Sequence, residues 1–258
     1  MSRHAAVIGC LILSTMISGC SNQINMKADH MQTDSKKNVE ESGQFTMHTK
    51  VKDVINDPVF EDYGRLIFPV DMSIDNDLEL QDVEEILPWY SEVNPERTVE
   101  IVNYMKNQAE SGNQIFYDIY SDEEKNADPE KADTGLFFFR GNPGEKTAVI
   151  NAGGGFVYVA GMHDSFPQAL ELSKRGYNAF ALIYRPGAQT ACEDLTRAIA
   201  FLHEHADELQ IDMEGYSLWG GSAGARMAAW LGSYGTAYFG EQEYPKPGAV
   251  IMQYTGLS

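Results

Sequence analysis

The chain is poor in cysteine, in positive charge and in long apolar runs, and each scarcity removes a class of proteins. Its three cysteines, Cys10, Cys20 and Cys192, cannot build the disulfide framework of a small secreted scaffold. Against 38 Asp and Glu it has only 19 Lys and Arg, a formal net charge of -19. So acidic a surface repels phosphate backbones and anionic headgroups, so nucleic-acid binding and electrostatic membrane docking are both disfavoured. Acidic stretches such as 71–85 and 122–130 read as solvated faces and loops, because single-sign runs serve solubility and no EF-hand spacing accompanies them. The apolar run from Ala5 to Ile17 is too short to span a bilayer as a mature helix. Following Arg3 and His4, it reads as a secretory leader over 1–19.

The leader ends in Ile17-Ser18-Gly19-Cys20. These residues resemble the bacterial lipobox, whose cysteine becomes the lipidated first residue of the mature protein. Read without that resemblance, the stretch is an ordinary secretory signal. The resemblance implies an extracytoplasmic protein held to the cell-envelope membrane by acyl chains on Cys20 alone, at about 0.8 kcal/mol per buried methylene. Cys10 leaves with the leader, so Cys192 remains alone and no intramolecular disulfide can form. Residues 20–55 are polar and aperiodic, and are expected to be a flexible tether. Residues 56–114 are expected to be an N-terminal helical or cap segment, with short helices over 83–89 and 95–109. Thr98, Ile101, Val102 and Met105 fall at helical spacing and read as a face packed on the domain.

From 115 onward the pattern changes. Apolar, aromatic or β-branched runs over 115–120, 134–140, 146–152, 179–184, 216–220 and 249–254 predict strands. Helices are predicted over 166–175, 193–208 and 223–234. An opening antiparallel pair followed by alternating helix and strand predicts an α/β domain, with a mostly parallel sheet and helices on both faces.

Gly220-Gly221-Ser222-Ala223-Gly224 matches G-x-S-x-G between a predicted strand and a predicted helix, the setting of a nucleophile elbow. Gly220 and Gly224 let the backbone turn tightly, so that the Ser222 hydroxyl stands above the sheet while the helix amides point at a developing oxyanion. The second motif, Ala152-Gly153-Gly154-Gly155-Phe156, follows a predicted strand. Adjacent glycine amides can converge on a carbonyl oxygen, and one such donor contributes about 3 kcal/mol to a transition state. No Lys-Ser/Thr follows it, as a phosphate-cradling P-loop demands.

In this order, with one strand-bearing unit between them, the two motifs resemble those of the α/β-hydrolase serine esterases. The glycine run is similar to the HGGG oxyanion loop of acetyl esterases and carboxylesterases, with Ala152 in place of the histidine. The resemblance covers residues 115–258 and implies an α/β-hydrolase fold without metal or organic cofactor. It further implies that Ser222 attacks an ester carbonyl while the amides of Gly154, Gly155 and Ala223 bind the oxyanion. The substrates it implies are short acyl esters, small or carbohydrate-borne such as acetylated sugars; Phe156, Tyr158 and Trp219 suggest an aromatic-lined cleft.

In that fold an Asp or Glu and then a His follow the serine along the chain. After Ser222 this sequence has Glu241 and Glu243, no Asp and no His. The expectation is therefore a fragment or prematurely stopped product, lacking the last strands and helices. Its final strand should be left as an apolar edge, with little triad-dependent turnover. His163 reads as a surface loop residue, and His203 and His205 as helix C-terminal charge. Two rivals remain open: a prolyl-oligopeptidase-type peptidase, which shares the elbow, and a non-catalytic ligand-binding lipoprotein on a degenerate hydrolase scaffold. The acyl group and the oligomeric state are not legible.

Overall fold

Short runs of β-branched and aromatic residues bounded by Gly, Asp and Pro are too brief for helices and suit a pleated surface. In the computed structural model of the chain, which describes residues 43–90 and 93–255, they assemble into one six-stranded mixed sheet. In chain order the elements are α1 (Val51–Ile55), α2 (Pro95–Glu110), β1 (Phe116–Tyr117), α3 (Asp122–Ala127), β2 (Gly135–Phe139) and β3 (Lys146–Asn151). Then follow α4 (Ser165–Lys174), β4 (Asn178–Ile183), α5 (Ala188–Glu204), α6 (Ala206–Leu209), β5 (Asp212–Gly221), α7 (Ala223–Tyr234) and β6 (Ala249–Gln253). The strand order is β1-β2-β4-β3-β5-β6. The β1/β2 and β2/β4 pairs are antiparallel and the remaining pairs parallel.

This order positions the site. From β3 the chain crosses through α4 to β4 on one side, then returns through α5 past β3 to β5 on the other. Because parallel crossovers are right-handed, α4 lies on one face and α5 and α7 on the opposite one. Both faces are covered, so β2 and β4 are buried along their whole length and read as continuous apolar runs. Phe138 stacks on Phe180 of the neighbouring strand at 4.1 Å between ring centroids, and Phe137 meets Phe166 of α4 edge-on at 5.0 Å. Where the crossovers diverge, a crevice opens at the carboxyl ends of β3 and β5. Asn151 pairs with Gly220 across these strands, so the loops that carry the two sequence motifs start side by side. The architecture is that of the α/β-hydrolase fold.

Several boundaries differ from the sequence reading. Residues 43–55 are not tether: Phe45 is buried, α1 buries Val51 and Val54, and Phe45 accepts a hydrogen bond at its carbonyl from Asn103 of α2 (2.8 Å). Position 20 and the leader lie outside the described residues. In the acidic stretch 122–130, α3 forms because Ser121 and Glu124 make a capping box; acidic first-turn residues also suit a helix N-terminus. The expected 115–120 strand forms only as β1, Phe116–Tyr117, and the chain bends at 119–120 before that helix. The helix expected over 83–89 is a 3-10 turn at Leu80–Glu85. Helix α5 begins at Ala188, directly after Gly187 (φ 97°), and breaks at Glu204. Helix α2 matches its prediction closely: Asn94 caps it, Pro95 occupies the first turn, and Thr98, Ile101, Val102 and Met105 are buried. Among the described residues β6 forms one edge of the sheet, with Met252 exposed.

Candidate active site

The turn after β5 is built by close approach. A methyl group on Gly220 would lie 2.3 Å from the Gly224 carbonyl, and one on Gly224 would lie 2.0 Å from the Asn151 carbonyl oxygen. Only glycine fits at either position. Between them Ser222 is held at φ 49°, ψ -113°, a conformation that costs a non-glycine residue on the order of 1–3 kcal/mol and persists when the surroundings impose it. Its N–H donates to the Gln253 carbonyl of β6 (3.1 Å). Its hydroxyl does not cap α7 and has no hydrogen-bond partner among the described residues.

The loop after β3 brings its glycines to the same place. Gly154 has φ 140°, and a methyl there would lie 1.8 Å from the Tyr158 carbonyl oxygen. Gly155 and Phe156 follow at φ 64° and 62°. Carbonyls along the loop are paired: Tyr184 donates its hydroxyl to Ala152 (2.7 Å), Ala160 N–H donates to Gly153 (3.0 Å), and Gly187 N–H to Phe156 (2.9 Å). Among the described residues the N–H groups of Gly154, Gly155 and Ala223 donate to no protein acceptor; the last is a first-turn helix donor, which has none by geometry. Gly154, Gly155 and Ser222 line one cavity of about 740 Å³. A methyl on Gly153 would lie 3.1 Å from Ser222 Cβ and 2.8 Å from Tyr90 Oη, so loop, elbow and that phenol meet at one point. The expected serine, elbow glycines and loop glycines are thus brought together.

Of two titratable residues at this cavity, the sequence reading misplaced one, His163, and did not single out the other, Asp164. His163 is buried, not a surface loop residue. Its Nε2 donates to the Val83 carbonyl (3.2 Å), leaving Nδ1 unprotonated and without a partner among the described residues. Burial pushes its pKa down to about 4, so the ring is neutral near pH 7. Asp164 is 6% exposed. Its Oδ2 accepts from Gly153 N–H (2.6 Å) and from the Tyr254 hydroxyl (2.5 Å), and Oδ1 from Gln168 Nε2 (3.0 Å). Burial raises the pKa of this carboxyl, while those donors work in the other direction. Burial also raises Tyr90 and Tyr254, so both phenols stay protonated. A local signal for Asp164 existed: it occupies the N-cap position of α4 directly after the glycine loop. Nothing in the sequence relates Tyr254 to it, 90 positions away.

Other expectations need correction. Phe156 stacks on Trp230 at 5.9 Å, and Trp219 donates its ring N–H to Ser217 within the sheet. Neither lines the cavity. Its aromatic wall is Tyr158 with Trp89, Tyr90 and Tyr254, and Trp89 Nε1 donates to the Tyr158 hydroxyl (2.7 Å). His203 stacks on Tyr244 at 5.2 Å, and its pKa is lowered by burial, so it carries no charge to the end of α5. His205 instead meets Glu208 (3.1 Å). Glu241 pairs with Arg197 at 3.7 Å.

A family model described as BD-FAE, an α/β-hydrolase-like family, matches residues 140–247, a span that holds both the glycine loop and the elbow. Comparison with curated proteins gives no match. Among solved structures, MGS-M1, an α/β-hydrolase enzyme from a Medee basin deep-sea metagenome library, is 24% identical, with a TM-score of 0.40 over 46% of this chain and 50% of its own. The thermophilic esterase Est2 of the planctomycete Thermogutta terrifontis is 24% identical at a TM-score of 0.41, over 46% and 47%. The same organism's esterase 2 phosphonylated by cyclosarin is 26% identical at 0.36, over 38% and 41%. The chain spans half or less of the length of these structures.

Proposed function

We propose that this chain carries the nucleophile and oxyanion parts of a serine carboxylic-ester hydrolase, of the kind that acts on short acyl esters such as acetylated sugars. The observation that carries the reading is the meeting of a serine in imposed backbone geometry with amide donors that lack acceptors, on the wall of one cavity. In the proposed reaction Ser222 Oγ attacks the ester carbonyl carbon and loses its proton to a base. The carbonyl oxygen takes up the negative charge, facing the amides of Gly154, Gly155 and Ala223. As the bond to the leaving oxygen breaks, that oxygen receives the proton and an alcohol departs, leaving the acyl group on Ser222. Water then repeats the sequence, releasing the acid and restoring the serine.

The base sets the rate. Among the described residues no imidazole pairs with Ser222 Oγ, since His163 is bound to Val83 and the other described imidazoles pair or stack elsewhere. Turnover supported by the described residues is therefore expected to be low, while stoichiometric reaction of Ser222 with a strongly electrophilic probe is retained. The test is labelling by a fluorophosphonate: incorporation that disappears in Ser222→Ala supports the reading, and its absence in the wild-type chain overturns it. The rival is a binding module on a hydrolase scaffold; tight glycan binding that survives Ser222→Ala, without labelling, would establish it.

The proposal extends to location. The likeness of residues 17–20 to a lipobox supports an extracytoplasmic site tethered by acyl chains on Cys20. Incorporation of radiolabelled palmitate that is lost in Cys20→Ser is the expected result in a bacterial host.

A further inference from the structure

An aspartate at a helix N-cap ordinarily turns its carboxylate onto the amides of its own first turn. Asp164 occupies that position before α4 and makes no such bond. Its side chain is directed instead into the crevice, where it gathers partners from separate parts of the chain. Oδ2 accepts from Gly153 N–H at 2.6 Å, at the entrance of the glycine loop, and from the Tyr254 hydroxyl at 2.5 Å, just past β6. Oδ1 accepts from Gln168 Nε2 at 3.0 Å, and the same amide group donates to Gln253 Oε1 at 3.0 Å. The elbow abuts this cluster too. A methyl on Gly221 would lie 2.7 Å from Asp164 Oδ2 and 2.3 Å from the Tyr254 hydroxyl.

The loop that begins at Gly153 passes through three consecutive residues at positive φ, two of them glycines that choose it freely and the third Phe156, where a side chain opposes it. Its other ties, from Tyr184, Ala160 and Gly187, hold it to β4, to itself and to the start of α5. The tie through Asp164 runs to the side where Ser222 stands.

We infer that Asp164 is a positioning residue for the esterase reaction: its carboxylate sets the glycine loop against the elbow, so that the amides of Gly154 and Gly155 face the carbonyl that Ser222 attacks. The inference rests on the esterase reading for its chemistry. The tie itself is a separate structural claim, so the two can fail separately.

The experiment measures fluorophosphonate labelling of Ser222 in the full chain, resolved into probe affinity and the rate of the bonded step, together with hydrogen exchange of the Gly153 amide. A purely structural role would change labelling in proportion to the folded fraction. In Asp164→Asn we expect the bonded step to slow by at least about tenfold, with probe affinity within about twofold, as for loss of oxyanion alignment. Exchange at Gly153 should accelerate in the same variant. Tyr254→Phe keeps the bond to Gly153 and removes one partner of the carboxylate, so a loss of about threefold is expected. If Asp164→Asn folds and labels at the wild-type rate, the inference is overturned while the esterase reading stands. If Asp164→Asn does not fold, an unchanged bonded step in Tyr254→Phe overturns it. If the wild-type chain is not labelled at all, the esterase reading fails, and equal Gly153 exchange in wild type and Asp164→Asn removes the tie as well.

Discussion

Two loops leave the carboxyl ends of adjacent strands in this molecule, and they rely on steric exclusion and hydrogen bonds in different proportions. The elbow after β5 is held by steric necessity: Gly220 and Gly224 pack against each other and against Asn151 with no room for a side chain. The loop after β3 has one such close approach, Gly154 against the Tyr158 carbonyl, and is otherwise held by hydrogen bonds from a distance, through the Asp164 carboxylate, the Tyr184 hydroxyl and Gly187 N–H. The first device is compact and depends on residues within the motif and one neighbouring strand. The second depends on side chains up to 32 positions away. Steric exclusion is intolerant of a single added carbon, whereas a set of ties loses strength one bond at a time.

The largest expected effect breaks the steric device. Gly224→Ala places a methyl 2.0 Å from the Asn151 carbonyl oxygen, and should cost at least about 4 kcal/mol of stability or prevent folding; urea unfolding measures it. Tolerance of that alanine would remove the distinction between the two loops. Next comes the buried imidazole beside the tied loop. His163 has its folded pKa lowered to about 4 against an unperturbed value near 6.5. Between these values the unfolded chain binds more protons than the native one, so this contribution is complete above about pH 6.5 and is lost as pH falls through about 4. Its full span is about 3 kcal/mol. Asp164 next to it is shifted upward and acts in the opposite sense, so the measurement is the difference between wild type and His163→Gln. That difference should shrink as the pH is lowered from 7 to 4.

Smaller effects sharpen the contrast. Tyr184→Phe removes the donor to the Ala152 carbonyl inside the core and should cost about 1–2 kcal/mol by urea unfolding, with the fold intact. Smallest are two changes of backbone freedom. Gly155→Ala meets open space but carries φ 64°, so a loss of about 1 kcal/mol is expected. Ser222→Gly relieves the strain at φ 49° and should stabilise the chain by about 1 kcal/mol, while Ser222→Ala leaves stability nearly unchanged. Thermal midpoints compared across these variants read the ordering directly.

What sequence reasoning recovered follows this division. The elbow was legible because steric exclusion demands glycines at fixed offsets from the serine, and a fixed offset is a pattern in one dimension. The sheet was legible because continuous apolar runs such as 135–139 and 178–183 are what a strand covered on both faces requires. Helix α2 announced itself through its 3.6-residue period. Element edges were read less well, as at β1, where the chain bends at 119–120 short of the predicted strand end.

The sequence by itself therefore determined the α/β order, the two glycine-bearing turns and the serine between strand and helix, because each follows from local periodicity or from backbone that only glycine can adopt. Tertiary structure alone decided that Asn151 and Gly220 are neighbours, that His163 is buried and neutral, and that Asp164 meets Tyr254. It also decided that Trp89 and Tyr90, rather than Phe156 and Trp219, wall the cavity. Those outcomes depend on which strands lie side by side and on how much water each side chain loses. Neither quantity is a property of any short stretch of chain.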